Sequence, residues 1–397
     1  MTAEASRWRI LSVHNRYLQS GGEDESQRAQ VHLLRERGHD VDVLLEDNRR
    51  VAALGAARVA RMTIWSDQGY NLVRGALKAQ PYDLVEFHNT FPLISPSAYY
   101  AARAERVPVV QVLHNYRLIC PTATLYRDGH VCEDCVGKPV AVPGVAHGCY
   151  HGSRAASAVV ATMLAAHRLM RTWSHAVDLF VTPTHFARRK LIEGGLPAEK
   201  IVVKPHFVHP DPGPGAHAGG YGLFVGRLAP EKGIATLLAA LELSQAQMPF
   251  KIVGHGPEAH RVAVAATRGR RIEWLGQRPR AEVSELMGEA AFLVLPSEWY
   301  ETFGLVIIEA YAKGTPVVAA GIGAVAELVE PDSTGVLFAP GRADELAAAI
   351  DWAAHHPTEL ATMGQRARAM YQRKYTAAEN YRQLADLYSR VIAHARR

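Results

Sequence analysis

The sequence predicts an α/β protein built of two successive domains, each a parallel sheet covered by helices. Three observations lead there. Short apolar runs that end in glycine- or histidine-bearing turns and lead into helices recur along the chain, the alternation that builds parallel sheets. The pattern stops between Lys204 and Gly220, a stretch with four prolines and four glycines, and then restarts. A chain of 397 residues is long for one domain and ordinary for two.

Composition narrows the class. With 48% hydrophobic and 21% charged residues the chain is neither disordered nor fibrous. The net charge of +5 and pI near 9.0 suit anionic small ligands. There is no nucleic-acid module and no Arg-rich run with interleaved aromatics, so nucleic acid is not an expected partner. Residues Met1 to Arg7 lack the apolar core of a secretory signal. The longest mostly apolar run, Ala155 to Ala166, is too short to span a bilayer. A cytoplasmic location is expected.

Trp8 to Val13 reads as the first strand. It runs into a polar loop closed by Gly21 and Gly22, then acids (Glu23, Asp24, Glu25) suited to a helix start, and a helix through Arg37. Val41 to Leu45 is the second strand. Gly21 and Gly22 thus stand at a strand's carboxyl end, where open α/β sheets bind ligands and a glycine lets backbone approach a phosphate. Asp40-Val-Asp42 mimics a metal-binding pair but falls at a strand start and reads as structural. Leu84 to Phe87 and Val109 to Leu113 are further strands, each ending in a similar turn, His88-Asn89-Thr90 and His114-Asn115-Tyr116. Two histidines and a glycine loop would converge on one sheet edge; a histidine satisfied in the core is the competing reading for each.

Cys120, Cys132, Cys135 and Cys149 are the only cysteines, spaced C-x11-C-x2-C-x13-C. In a cytosolic protein such a cluster suggests structural zinc, with a redox Cys-x-x-Cys or plain thiols as alternatives. Four thiolates leave no open position, so such a zinc would be structural rather than catalytic. Ser153 to Arg171 is an Ala-rich helix read as core; peripheral membrane contact is the less favoured alternative. Val177 to Val181 is a strand, Thr184 opens a helix, and Ile201 to Val203 closes this half.

After the linker, Tyr221 to Val225 is a strand followed by Gly226-Arg227-Leu-Ala-Pro-Glu-Lys232-Gly233 and a helix from Ile234 to Leu243. Two cations and a helix N-terminus there could hold a diphosphate. Phe250 to Val253 leads into a turn with Gly254 and Gly256, Ile272 to Gly276 is a strand, and Glu282 to Glu289 a helix. Ala290 to Leu295 is a buried strand. Leu305 to Ala312 then reads as a helix that is apolar nearly all round and therefore buried, stopped by Gly314 and Pro316. Glu309 inside it requires a fixed polar partner. Phe303, Gly304 and Leu305 offer backbone N–H groups to an anion beside Glu301. Val317 to Ala320 is a strand, and Thr376 to Ala395 a long closing helix.

Glu301 and Glu309, with seven residues and Phe303-Gly304 between them, set between an apolar strand and a Gly-Thr-Pro exit, resemble the paired-glutamate motif of retaining GT-B glycosyltransferases of family 4. Gly226-Arg227 with Glu231-Lys232-Gly233 resembles that family's diphosphate-binding motif. The resemblance implies a GT-B fold: an acceptor domain over residues 1–205, a donor domain over 206–375, and a helix over 376–397 returning to the first, with a donor cleft between domains. It implies transfer of a sugar from a UDP- or GDP-sugar to an acceptor hydroxyl with retained configuration and no catalytic metal. Arg227 and Lys232 would take the pyrophosphate, Glu301 the sugar, His114 a sugar hydroxyl and Glu309 the ribose. Gly21, Gly22, Gly226, Gly254, Gly256 and the backbone of Phe303, Gly304 and Leu305 would line the donor. The acceptor would be a small molecule, a glycan or a lipid-linked sugar. A nucleotide-sugar epimerase or a phosphorylase on the same fold is the alternative.

Overall fold

A computed structural model describes residues 7–18, 21–268 and 271–396. The chain divides into two compact units. The first comprises Met1–Thr124, Glu133–Lys204 and Tyr381–Arg397, and the second Leu125–Cys132 and Pro205–Asn380.

In the first unit six strands form one parallel sheet: β1 (Arg9–Arg16), β2 (Asp40–Asp47), β3 (Leu84–Phe87), β4 (Val109–Val112) and, beyond a small hairpin of β5 (Tyr126–Arg127) and β6 (His130–Val131), β7 (Leu179–Thr182) and β8 (Ile201–Val203). Their order is β2-β1-β3-β4-β7-β8. The middle strands are buried on both faces, so they do not alternate and are apolar apart from Glu86 in β3 and Gln111 in β4. The helix Gly22–Glu36 lays Val31 and Leu34 against Ile10, Leu84 and Val110 on one face. Leu384, Leu387, Tyr388 and Ile392 of the closing helix Ala377–Ala395 complete that cluster.

The second unit holds β9 (Gly222–Val225), β10 (Phe250–Val253), β11 (Ile272–Gly276), β12 (Phe292–Leu295), β13 (Val317–Ala320) and β14 (Gly335–Phe338), all parallel, in the order β11-β10-β9-β12-β13-β14. This is the dinucleotide-binding order, whereas the first sheet follows the flavodoxin-like order with one more strand. The sequence presents the halves as alike; their sheets are wound differently. In both, the order reverses beside the first strand, between β1 and β3 and between β9 and β12. Open α/β sheets bind ligands at the carboxyl ends of such strands.

Two expectations change here. The hairpin that carries Tyr126 to Val131 groups with the second unit, not with the domain over 1–205. The Pro/Gly stretch is also not a loose tether along its whole length. Gly215, His217 and Gly219 donate backbone N–H groups to Lys313, Gly288 and Glu289 carbonyls at 2.8–3.0 Å, and a Cβ at Gly215 would stand 2.0 Å from Gly288 O. Asp40-Val-Asp42 lies in β2, with Asp40 on Arg7 (2.7 Å) and Asp42 accepting from Tyr82 OH (2.8 Å), a structural use. Among the described residues no helix is long and apolar enough to cross a membrane.

Candidate active site

The reversal point of the second sheet gathers most of the charged residues singled out in the sequence. The turn after β9 carries Gly226, Arg227 and Glu231, then Lys232 and the helix Ile234–Leu243; the turn after β12 carries Ser297, Glu298 and Glu301, then the helix Leu305–Lys313. The two turns are knit together. Glu298 N–H donates to Glu231 O at 2.9 Å, and Thr236 Oγ1 donates to the Glu298 carboxylate. Lys232 Nζ donates to Glu301 Oε1 at 2.5 Å, and Ser297 Oγ donates to the same oxygen at 2.9 Å.

Glu301 is buried. Burial pushes its carboxyl up, but the Lys232 ammonium and the hydrogen bonds from Lys232 and Ser297 outweigh it and hold the group below the usual carboxylate range. It is therefore an ionised acceptor at neutral pH and a weak proton carrier. Arg227 is more than half exposed and pairs with the better-buried Glu231. Lys232 also lies 5.1 Å from the Trp299 ring centroid. No side chain caps the helix Leu305–Lys313; Gly304 (φ +98°) stands at its start, and Gly314 (φ +75°) ends it as its spacing predicts.

That helix departs from expectation on one point. Its inner face, with Ile307, Ile308, Ala310 and Tyr311, is fully buried, but Leu305, Val306 and Glu309 are half-buried, so it is not covered all round. Glu309 has the polar partner that its setting requires, Arg280 Nη2 at 3.1 Å, from the helix Arg280–Glu289. Both groups keep access to water, so the carboxylate is placed to exchange that partner for ligand hydroxyls. Phe303 buries its ring against His206 and Tyr375, which leaves its backbone as what it could offer an anion. Gly254 has its own structural reason: at φ +141° a Cβ there would sit 1.8 Å from Gly226 O, so the turns after β9 and β10 touch backbone to backbone. Gly256 lies in the same turn.

In the first unit, β1, β3 and β4 are neighbours; His14 lies near the end of β1, and His88 and His114 follow β3 and β4 by one and two residues. His14 and His88 are buried and His114 is half-buried. His88 Nδ1 and His114 Nε2 are 2.9 Å apart with their rings stacked, and His14 Nε2 lies 2.7 Å from Asp24 Oδ1. Gly21 N–H donates to Asp24 Oδ2 at 3.0 Å. Its backbone is extended and a Cβ there would meet nothing, so the fold itself does not demand glycine; Gly22 opens the helix.

Sequence reading missed Glu23, Asn115, Glu86 and His14. Asn115 Nδ2 donates to Glu23 Oε2 at 3.0 Å, and burial pushes the Glu23 carboxyl up despite that bond. Glu23 read only as a helix-start acid, and its partner Asn115 lies 92 residues on; Glu86 meets Gln30 and Tyr388, 56 and 302 residues away. Cys120 is buried, its Sγ 3.1 Å from Thr122 Oγ1.

Comparison with known proteins agrees with this layout. Residues 21–206 match the glycosyl transferase 4-like domain and residues 219–370 the glycosyl transferases group 1 model. A 2-deoxystreptamine glucosyltransferase of Streptomyces kanamyceticus is 32% identical over 281 residues, 68% of this chain and 67% of that one. Glycogen synthase of Mycobacterium tuberculosis is 35% identical over 181 residues, 44% of this chain, and the chain spans 42% of that relative's length. Among solved structures, HepE of Anabaena in complex with UDP aligns with a TM-score of 0.68 at 21% identity, covering 96% of this chain and 99% of HepE. Sucrose-phosphate synthase of Thermosynechococcus elongatus aligns at 0.72 and 18% identity, covering 98% and 100%. The two reversal points, one in each unit, are therefore those of a GT-B protein, and the chain belongs to the glycosyltransferases that join a glycosyl transferase 4-like domain to a group 1 domain.

Proposed function

We propose that this protein moves a sugar from a nucleoside diphosphate sugar to an acceptor hydroxyl, with retained anomeric configuration and without a catalytic metal. The observation that carries the reading is the second unit's reversal point, where Arg227, Lys232 and the uncapped N-terminus of Leu305–Lys313 accompany a buried, ionised Glu301. Negative charge grows on the diphosphate as the glycosidic bond breaks. Fixed cations and helix amides that meet that charge lower the barrier without reorganising, the largest lever in electrostatic catalysis. Arg227 would leave Glu231 for the phosphate, since its guanidinium faces water.

Glu301, held at low basicity, suits orienting sugar hydroxyls more than acting as a base, and a carboxylate clasped by an ammonium is a poor nucleophile. Both points favour a same-face mechanism in which the departing phosphate accepts the acceptor's proton. Glu309 would take the ribose hydroxyls, and His114 a hydroxyl of the donor sugar. The paired-glutamate assignment to family 4 belongs to this proposal. Solved neighbours in complex with UDP and with UDP-glucose support a uridine donor, and the similarity to a 2-deoxystreptamine glucosyltransferase supports a small polar acceptor.

A structural zinc on Cys120, Cys132, Cys135 and Cys149 is a separate proposal, resting on four thiols clustered in the sequence. Stoichiometric zinc in protein purified without added metal supports it, and none defeats it. The functional reading is tested by screening UDP- and GDP-sugars for thermal stabilisation, then measuring transfer from the best donor. Arg227→Ala is expected to lower turnover by about 100-fold with the melting temperature kept. Wild-type turnover in that variant removes the leaving-group role.

A further inference from the structure

Behind His114 stands a buried chain of polar groups that the proposed reaction does not itself use. Glu86 is wholly buried in β3. Its Oε1 accepts from Tyr388 OH at 2.6 Å and from Gln30 Nε2, and its Oε2 lies 3.3 Å from His88 Nε2. His88 Nδ1 in turn lies 2.9 Å from His114 Nε2. Burial pushes the Glu86 carboxyl up, but His88, Tyr388 and Lys204 outweigh it and keep the group ionised.

We propose that Glu86 and His88 are positioning residues that hold His114 with its proton on Nε2 and share the charge when His114 takes up a second proton. His88 Nε2 faces the ionised Glu86 Oε2 at 3.3 Å, an ion-pair distance outside hydrogen-bond geometry, and a carboxylate there favours a proton on the nitrogen that faces it. In neutral His88, Nδ1 is then a lone pair, and the 2.9 Å contact requires His114 Nε2 to donate. His114 Nδ1 is left as the acceptor of the pair. When Nδ1 takes a proton, the Nε2 proton can pass to His88 Nδ1; the positive charge then rests on His88 against Glu86, with one proton gained and none lost. The other groups around the relay are consistent with this. Lys204 faces Glu86 with its Nζ 3.4 Å from Gln30 Oε1, Tyr388 and Gln30 donate, and His14, whose ring centroid is 6.2 Å from that of His88, is held by Asp24. The relay's use in sugar transfer rests on the reading above that His114 touches the donor; its tautomer does not.

The test is nitrogen NMR of the full-length protein labelled with ¹⁵N-histidine, with His114 assigned by its loss in His114→Ala. Above the pair's titration, the wild-type protein is expected to show a protonated, pyrrole-type Nε2 and a bare, pyridine-type Nδ1 at His114. Compared with Lys204→Met alone, the double variant Glu86→Gln, Lys204→Met is expected to lower the pair's protonation midpoint by about 1–3 pH units, the effect of losing a neighbouring opposite charge. A wild-type His114 protonated on Nδ1, or an unmoved midpoint in the double variant, overturns the proposal. Transfer assays separate it from the reading it rests on. If the NMR outcomes hold while the acid limb of the transfer rate stays put in the double variant, the relay stands and His114's place at the donor falls.

Discussion

Lys204, at the end of β8, is fully buried, and burial lowers its ammonium to about 8 against the opposing pull of Glu86. In the unfolded chain a lysine titrates near 10.4. Between these values the unfolded state holds a proton that the native state has released, so stability rises with pH across that window and the penalty is present in full below it. A gap of roughly 2.5 units corresponds to about 3 kcal/mol. Urea unfolding at pH 7.5 and 10.5 should therefore show the wild type gaining about 3 kcal/mol relative to Lys204→Met. Parallel behaviour of the two proteins would refute a strained buried ammonium. The same logic separates the two donor-site cations. Lys232→Ala strands a buried Glu301 carboxylate and should cost about 3–5 kcal/mol of stability, while exposed Arg227→Ala should cost within about 0.5. Equal losses in chemical denaturation would mean that Glu301 does not depend on Lys232.

At the scale of elements, glycines separate two kinds of need. Gly233 links Lys232 to the helix Ile234–Leu243 at φ +70°, and a Cβ there would lie 1.9 Å from Pro296 O, the backbone of the turn leading to Glu301. Gly314 has nearly the same backbone at the end of Leu305–Lys313, yet a Cβ there would meet nothing nearer than 3.5 Å. Gly314→Ala should cost only left-handed strain, about 1–2 kcal/mol. Gly233→Ala must also push the two donor-site turns apart, so it should cost more and weaken nucleotide binding measured by calorimetry, which Gly314→Ala should leave alone. These helices were legible because a glycine stop and an apolar run are local facts, as were β3, β8, β11 and β13, whose bounds the sequence marks to the residue. The helices Ala56–Ile64 and Asp67–Ala79 went unread; only Trp65 and Ser66 separate them, and Gly69 and Gly75 fall inside the second. The half-open face beside Glu309 was hidden because it depends on Arg280, 29 residues away. Likewise the differing strand orders follow from which strands pair across long connections, and no local pattern records that.

For the whole molecule, the non-local debt is largest at the C-terminus. The helix Ala377–Ala395 starts with residues of the second unit, but from Tyr381 onward it belongs to the first, where Leu384 and Tyr388 are fully buried among Trp8, Ile10, Val31 and Leu84. The first unit is thus completed only by residues that follow the second unit in the sequence. Leu384→Ala opens a cavity under β1 and β3 and should cost about 2–5 kcal/mol. Because Leu384 belongs to the first unit's core and to neither cluster of the second, hydrogen exchange should accelerate in β1, β3 and β4 while β9, β10, β12 and β13 keep their protection. Uniform acceleration in both sheets would show that the units open as one cooperative body. Tyr388 on the same helix donates to Glu86, so a loosening confined to the first unit should also disturb the histidine pair at the ends of β3 and β4. That pair would then register damage to the closing helix while nucleotide binding at the second sheet's reversal point persists, a dissociation that calorimetry with UDP on the Leu384→Ala protein can read directly.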